Sequence, residues 1–336
     1  MTKILSVKDL VIKFYTFDGV VHALNNITFD LKEGETLAIV GESGSGKSVT
    51  MLSLLHLLPM PPAKIENGEA WFYEDGKDPV DLFKLNRSGI SKIRGGQIGF
   101  IFQDALSALN PVMTIGRQIS ESSMEHLGLS HAKAREKTIK LLKRVGIPGA
   151  RQRYDDFPHQ FSGGMRQRVM IAVSMACNPK IVIADEPTTA LDVTVQAQIV
   201  DLTKELQKEF NIAVVWITHD LGVVAGMADR VLVMYAGTPV EIAKAQDLYA
   251  KPRHPYTIGL MNALPNITGD GDSRLASIDG MPPDLMEEPH HCQFVWRCPH
   301  AFDRCWKEIP QQIHVGENHI VSCFFDVDKG RPRENA

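Results

Sequence analysis

Apolar residues bunch and alternate in strand fashion over residues 4–31, with Asp18-Gly19 as a turn between two short runs. The run Thr36-Leu37-Ala38-Ile39-Val40 reads as a buried strand and 47–58 as a helix, which the prolines from Pro59 to Pro62 end. Strands are expected at 68–73 and 97–102. From about 104 to 160 the strand signal disappears. There Ser130 to Val145 sets Ala132, Ile139, Leu142 and Val145 among basic residues and predicts an amphipathic helix. Alternation then resumes, with helix 163–177, strand 181–184, helix 193–209 and strands 213–217 and 231–234. Strand and helix in alternation predict an α/β fold: a mostly parallel sheet covered by helices, entered through an N-terminal antiparallel β region. Residues 266–273 have loop composition, and Pro- and Cys-rich sequence follows. The expected domains are 1–235, with a helical subdomain at about 104–165, and a small C-terminal domain at 236–336.

The 336 residues suffice for a full α/β core and a second small domain. A net charge of −4 supplies no electrostatic excess that would make nucleic acid the main partner. The opening Met1-Thr2-Lys3-Ile4-Leu5-Ser6-Val7-Lys8-Asp9 has no apolar leader, and no stretch reaches the ~18 apolar residues of a membrane span. The expectation is a cytosolic chain that meets any membrane through partners.

The chemistry begins at Gly41-Glu42-Ser43-Gly44-Ser45-Gly46-Lys47-Ser48, which fits G-x-x-x-x-G-K-[ST] directly after a strand and before a helix. Glycines at 41, 44 and 46 let the backbone turn its N–H groups inward around phosphate oxygens, and Ser43, Ser45 and Val49 complete the phosphate-side set. Lys47 places a positive charge near the β/γ-phosphates, the Ser48 hydroxyl suits Mg²⁺, and the helix dipole faces the anion. Strand 181–184 runs into Asp185-Glu186, so two carboxylates arrive at the end of a parallel sheet. Asp185 is expected to hold Mg²⁺, and Glu186 to orient or deprotonate the water that attacks the γ-phosphate. Ser162-Gly163-Gly164 opens a helix: Ser162 suits an N-cap, and the end of that helix a second anion site.

With its basic flank, Ser162-Gly163-Gly164 resembles the signature of ATP-binding cassette (ABC) ATPases, and the family's other elements occur in order over roughly residues 4–240. Gln103 matches the Q-loop, Asp185-Glu186 the Walker B end, Thr189-Ala190-Leu191-Asp192 the D-loop and Thr218-His219-Asp220 the switch histidine. The resemblance implies ATP with Mg²⁺ held by Ser48, Gln103 and Asp185, and an adenine stacked on Phe14, with Tyr15 as the alternative. It also implies that Ser162, Gly163, Gly164 and Asp192 serve a nucleotide shared with a facing subunit, so that ATP closes two cassettes together. Met165 and Thr189 depart from the commonest pattern, in which Gln and Ser are usual, without removing an acid, base or phosphate contact.

Four of the five cysteines read C-x5-C-x6-C-x17-C: Cys292, Cys298, Cys305 and Cys323. Four thiols this close suit a tetrahedral metal, an iron–sulfur cluster or a metal-free reduced core, because a reducing cytosol disfavours disulfides. His290 and His291 are substitute ligands if zinc is bound, and Cys177 reads as a buried small hydrophobe. The tail resembles the C-terminal extension of dipeptide and oligopeptide importer ATPases through His254-Pro255-Tyr256-Thr257, Ala263-Leu264-Pro265, Gly280-Met281-Pro282-Pro283 and Arg297-Cys298-Pro299. That resemblance implies a 4Fe-4S cluster on the four thiolates. It implies as partners a second ABC ATPase subunit (a sister chain or a second copy), two transmembrane permease subunits and an extracytoplasmic peptide-binding protein, with no nucleic acid. The chain would sit on the cytoplasmic face of the inner membrane, with Leu106, Leu109 and Pro111 facing the permease. The alternatives are a soluble cassette ATPase of DNA repair or translation, and an importer of nickel, glutathione or sugar-like solutes.

Overall fold

The computed structural model describes residues 2–189, 191–263 and 278–333. Ala190 of the expected D-loop, Leu264-Pro265 and the expected loop at 266–273 lie outside the described residues. The chain forms two compact units, one of Met1–Ile4, Leu31–Thr36 and Lys84–Ile217, the other of Leu5–Asp30, Leu37–Phe83 and Thr218–Ala336.

In the first unit, strands Ile98–Ile101, Ile181–Asp185 and Ala213–Thr218 lie side by side and parallel, with Ile98 opposite Ile181 and Ile181 opposite Ala213. Ile181–Asp185 is buried along its whole length, which explains why it reads as an unbroken apolar run. Helix His131–Arg144 matches the expected amphipathic segment. Its buried face is Ala134, Thr138, Ile139, Leu141 and Leu142, however, and Ala132 lies on the solvent side.

Helix Ile115–Leu127 buries the hydroxyls of Ser120 and Ser123 beside Ile115 and Ile119. Ser120 Oγ lies 2.9 Å from Thr138 Oγ1 and 2.8 Å from Tyr154 Oη, and Ser123 Oγ donates to the Ala176 carbonyl at 3.0 Å. Each buried polar atom is thereby satisfied, which a pattern of apolar positions cannot register.

In the second unit, strands Lys3–Tyr15 and Val20–Lys32 begin an antiparallel sheet that continues through Ala63–Phe72 to Val80–Asp81. Strand Thr36–Val40 pairs in parallel with Arg230–Tyr235 and leads into helix Lys47–Leu54. The helix stops short of the expected residue 58 because His56 turns left-handed (φ +50°) and the Leu57 N–H bonds back to the Leu52 carbonyl at 2.9 Å.

Strand Thr238–Lys244 runs antiparallel to Arg230–Tyr235 and pairs on its other side with His319–Val321. The sheet of this unit is therefore mixed, and the expected boundary at 235/236 falls in the turn of a hairpin. Tyr235, Tyr256 and Phe294 pack as a trio with ring centroids 4.6, 5.2 and 5.4 Å apart. They join Ala38, Val40, Val231 and Val233 in one core, so the tail is built onto the strands beside the phosphate loop.

Candidate functional site

The phosphate loop leaves a fully buried strand and turns back on itself. At Gly41 (φ +152°) a Cβ would stand 2.1 Å from the Met234 carbonyl oxygen, and at Gly46 (φ +95°) 2.5 Å from Leu24 Cδ2. Only glycine fits either place. Lys47 is buried, and its ammonium donates to the Gly41 carbonyl at 2.8 Å and the Glu42 carbonyl at 2.9 Å, bracing the loop from inside. Ser43 and Gly44 are exposed at the crest, and Ser48 and Val49 are half-buried in the first turn of the helix.

Ser45 is 3% exposed, and its Oγ has no hydrogen-bond partner among the described residues. A buried, unsatisfied hydroxyl in this glycine-rich turn suits a phosphate oxygen, which would relieve it.

The acid residues sit at the end of strand Ile181–Asp185, with Asp185 7% exposed. Glu186 has a left-handed backbone (φ +44°), uncommon for a residue with a side chain. Its N–H donates to the Ile217 carbonyl at 3.0 Å. Its Oε2 accepts Gln103 Nε2 and Thr189 Oγ1, both at 3.0 Å. The sequence places Gln103 and Glu186 far apart, and the parallel pairing of the strands before them brings them together. Thr189 is a functional candidate missed in its role: it was legible only as a D-loop variant, yet its hydroxyl fixes the Glu186 carboxylate.

Ser162 caps helix Gly163–Met175, accepting the Met165 N–H at 3.4 Å, and Asp192 caps Val193–Phe210, accepting the Val195 N–H at 3.0 Å. Ser162, Gly163 and Asp192 are exposed, and a Cβ at Gly163 would meet nothing within 4 Å among the described residues. In the second unit, His219 is exposed after strand Ala213–Thr218, and Asp220 caps the next helix. Phe14 is half-buried opposite Ala63, whereas the Tyr15 hydroxyl is committed to Glu66 Oε1 at 2.7 Å. Of the residues expected to meet a permease, Leu106 and Pro111 are exposed but Leu109 is a core residue, 2% exposed. Val112, 80% exposed, was not anticipated.

The four tail cysteines draw together. Cys305 is buried with Val295 and Phe324, Cys292 packs against that core, and the Cys292 N–H donates to the Cys305 carbonyl at 3.1 Å. Burial first, then the neighbouring thiols, push Cys292 up to about 12, and burial does the same to Cys323. Burial also raises Cys298. Yet among the described residues no three His, Cys, Asp or Glu side chains are arranged to hold a metal ion. The expected 4Fe-4S ligand set is thus a gathering of thiols without the spacing of a metal site, and neither His290 nor His291 completes one. Cys177 is buried, as expected of a small hydrophobe.

A turn-bound phosphate cradle and a braced carboxylate at a parallel strand end define a P-loop ATPase. Residues 24–189 match the family described as ABC transporter, and 240–305 the oligopeptide/dipeptide transporter C-terminal region. The chain is 47% identical to the oligopeptide transport ATP-binding protein OppD of Bacillus subtilis, over 99% of this chain and 93% of that protein. It is 47% identical to the dipeptide transport protein DppD of the same organism, over 97% of this chain and 95% of that one. To OppD of Escherichia coli it is 48% identical, over 97% and 94%. Among solved structures, a dimeric ATP-binding cassette in a post-hydrolysis state with ADP and Pi superposes with a TM-score of 0.63 at 30% identity, covering 72% of this chain and 99% of that one. This chain belongs to the ABC transporter ATP-binding family, in its oligopeptide/dipeptide branch. The family hydrolyses ATP with Mg²⁺, and Ser48, Gln103 and Asp185 each carry an oxygen donor of the kind that ion takes. No described helix is long and apolar enough to cross a membrane.

Proposed function

We propose that this chain is the ATP-hydrolysing subunit of an importer of dipeptides or oligopeptides. The observation that carries the catalytic half is Glu186, held in a costly backbone conformation with its carboxylate fixed by Gln103 and Thr189. Such bracing suits a base that must meet one water in one orientation. In this reading Glu186 takes the proton of the water attacking the γ-phosphate, and His219 senses that phosphate. Lys47, Ser43, Ser45, Val49 and the glycines 41, 44 and 46 cradle the phosphates, and Phe14 stacks on adenine. Mg²⁺, when bound through Ser48, Gln103 and Asp185, neutralises phosphate charge.

The exposed caps of Ser162 and Asp192, with Gly163 and Gly164, support a role toward a nucleotide on a facing cassette, a sister chain or a second copy. Peptide as cargo is supported by the likeness to relatives named for oligopeptide and dipeptide transport, which runs through the tail. The remaining partners are two permeases, met through Leu106, Pro111 and Val112, and an extracytoplasmic binding protein, which place the chain on the cytoplasmic face of the membrane. Residues 236–336 form the peptide-importer extension of a nucleotide-binding region at 1–235.

The test is to purify the tagged chain from membranes, identify the permeases that come with it, and reconstitute them with the binding protein in vesicles. ATP-dependent peptide uptake is expected. A chain that recovers no membrane protein, or a complex that imports another solute instead, removes the peptide reading.

A second reading concerns the tail thiols as the 4Fe-4S ligand set. It is supported by the convergence of the four thiols; burial raises Cys292, Cys298 and Cys323, so thiolates at those places would need a cation to stay deprotonated. The family match in the tail ends at 305 and does not take in Cys323. Anaerobically purified protein should carry stoichiometric iron and sulfide; zinc in their place, or no metal, rejects the cluster.

A further inference from the structure

The second residue of the phosphate loop, Glu42, is held from three sides, two of them by the tail. Its N–H donates to the Tyr256 hydroxyl at 2.9 Å, and its carbonyl accepts the Lys47 ammonium at 2.9 Å. Its carboxylate forms a two-pronged pair with Arg297, Nη1 to Oε2 at 2.7 Å and Nη2 to Oε1 at 2.9 Å. The Arg297 side chain is 4% exposed and that of Glu42 27%. Arg297 is in turn fixed by the carbonyls of Asp279 (3.0 Å) and Ile278 (3.2 Å) and by the Tyr235 hydroxyl (3.3 Å). Tyr256 is fully buried in the aromatic trio. Pro282 and Pro283 then line a cavity of about 130 Å³ with Glu42, Ser43, Gly44 and Ser45, directly against the crest of the loop.

We propose that Arg297 and Tyr256 are positioning residues for ATP binding: through Glu42 the tail sets the phosphate loop, and with it Lys47, in the geometry that accepts phosphate. A guanidinium is the group for this task. Its planar fork meets a carboxylate along two parallel bonds and so fixes orientation as well as distance, which an ammonium cannot do. Because Lys47 bonds to the carbonyl of the same residue, a displaced Glu42 carries the phosphate-binding charge with it. The inference rests on the ATPase reading and extends it to residues that never touch the nucleotide.

The test uses the full-length chain with Mg·ATP, measured by titration calorimetry, with thermal unfolding as the control for folding. Arg297→Met and Glu42→Gln should each weaken ATP binding about tenfold or more, the scale of a lost charge-assisted bond. The double variant should be no weaker than the worse single one, since both remove the same link. Arg297→Lys should recover only part of the affinity. Tyr256→Phe, which deletes one oxygen and keeps the ring in the core, should weaken binding about threefold or more while melting near wild type. Folded variants that bind ATP like wild type, or single losses that add in the double variant, overturn the proposal. If Arg297→Met does not fold, Glu42→Gln and Tyr256→Phe decide by the same criterion. A wild-type chain that itself binds no ATP overturns the ATPase reading and this inference with it, whereas wild-type binding with indifferent variants overturns this inference alone.

Discussion

At the scale of single residues, Glu186 is fixed both at its backbone and at its carboxylate. A carboxylate bridged by an amide and a hydroxyl at 3.0 Å has lost most of its rotamer freedom, and its left-handed backbone holds it there at a cost of about 1–3 kcal/mol. Removing the base but not the shape isolates the chemistry. Glu186→Gln should keep ATP affinity while turnover of the assembled complex falls by about 10²–10⁴, the usual worth of general base catalysis. Steady-state ATP hydrolysis beside equilibrium ATP binding checks both halves, and turnover near wild type would take the role from Glu186.

His254 shows the opposite use of a titratable group. It is fully buried, its Nδ1 accepts the Tyr256 N–H at 3.0 Å, and its backbone N–H donates to Glu241 Oε2 at 3.0 Å. Burial pushes its pKa down to about 4, against a smaller upward pull from Glu241, and Arg333 adds to the fall. A histidine depressed in the folded state takes up its proton sooner in the unfolded chain. Its contribution is therefore complete above about pH 6.5 and is lost as pH falls toward 4, at no more than about 1.4 kcal/mol per pH unit. Urea midpoints at about pH 7 and about pH 5 should differ less in His254→Asn, which keeps a capping side chain without the titration. An equal acid sensitivity in the variant would place the effect elsewhere.

At the scale of elements, the phosphate loop and the helix caps differ in what they tolerate. A Cβ at Gly41 meets a backbone carbonyl, which cannot swing aside as a side-chain tip can, so Gly41→Ala should abolish ATP binding and lower the melting temperature. Retained affinity would show that the loop can open at no cost. Ser162 holds its helix with one long, exposed bond, and Ser162→Ala should cost only about 0.5 kcal/mol in chemical unfolding. The same change should impair hydrolysis in the complex far more than it impairs folding, because the exposed face is what a partner would read.

The tail works as an element too. Its turn Val295–Arg297 joins the thiol core to the arginine on Glu42, so Cys298→Ser is expected to weaken ATP binding through Arg297. Calorimetric affinity unchanged in that variant would separate the two.

At the scale of the whole molecule, the helix-capping residues Ser162 and Asp192 are exposed. Mixed with ATP, Glu186→Gln should sediment as a closed pair of cassettes, alone or with a sister ATPase. Adding Ser162→Arg, too large for a γ-phosphate contact, should return it to single chains. Sedimentation that ignores both ATP and Ser162 would refute the shared site.

Much of this was written along the chain, because some structural demands act on neighbours in sequence. A phosphate cradle needs glycines and a lysine at set intervals, a buried parallel strand needs an apolar run, and so Gly41 to Ser48, Ile181 to Asp185 and Ser162 with its glycines were legible at once. The importer-type tail was legible for the same reason, through short local motifs. What the sequence could not carry is what depends on partners distant along the chain. The serine face of Ile115–Leu127 reads as polar until Thr138, Tyr154 and the Ala176 carbonyl are seen to satisfy it. Leu109 reads as surface until it is found in the core, and the hairpin across 235/236 is decided by pairing that no local pattern encodes. By itself the sequence determined that this protein binds ATP as an ABC cassette. Only the tertiary structure decided that Thr189 braces Glu186 and that Arg297 reaches back to Glu42, since a hydrogen bond between distant residues exists only once the chain has folded to bring its donor to its acceptor.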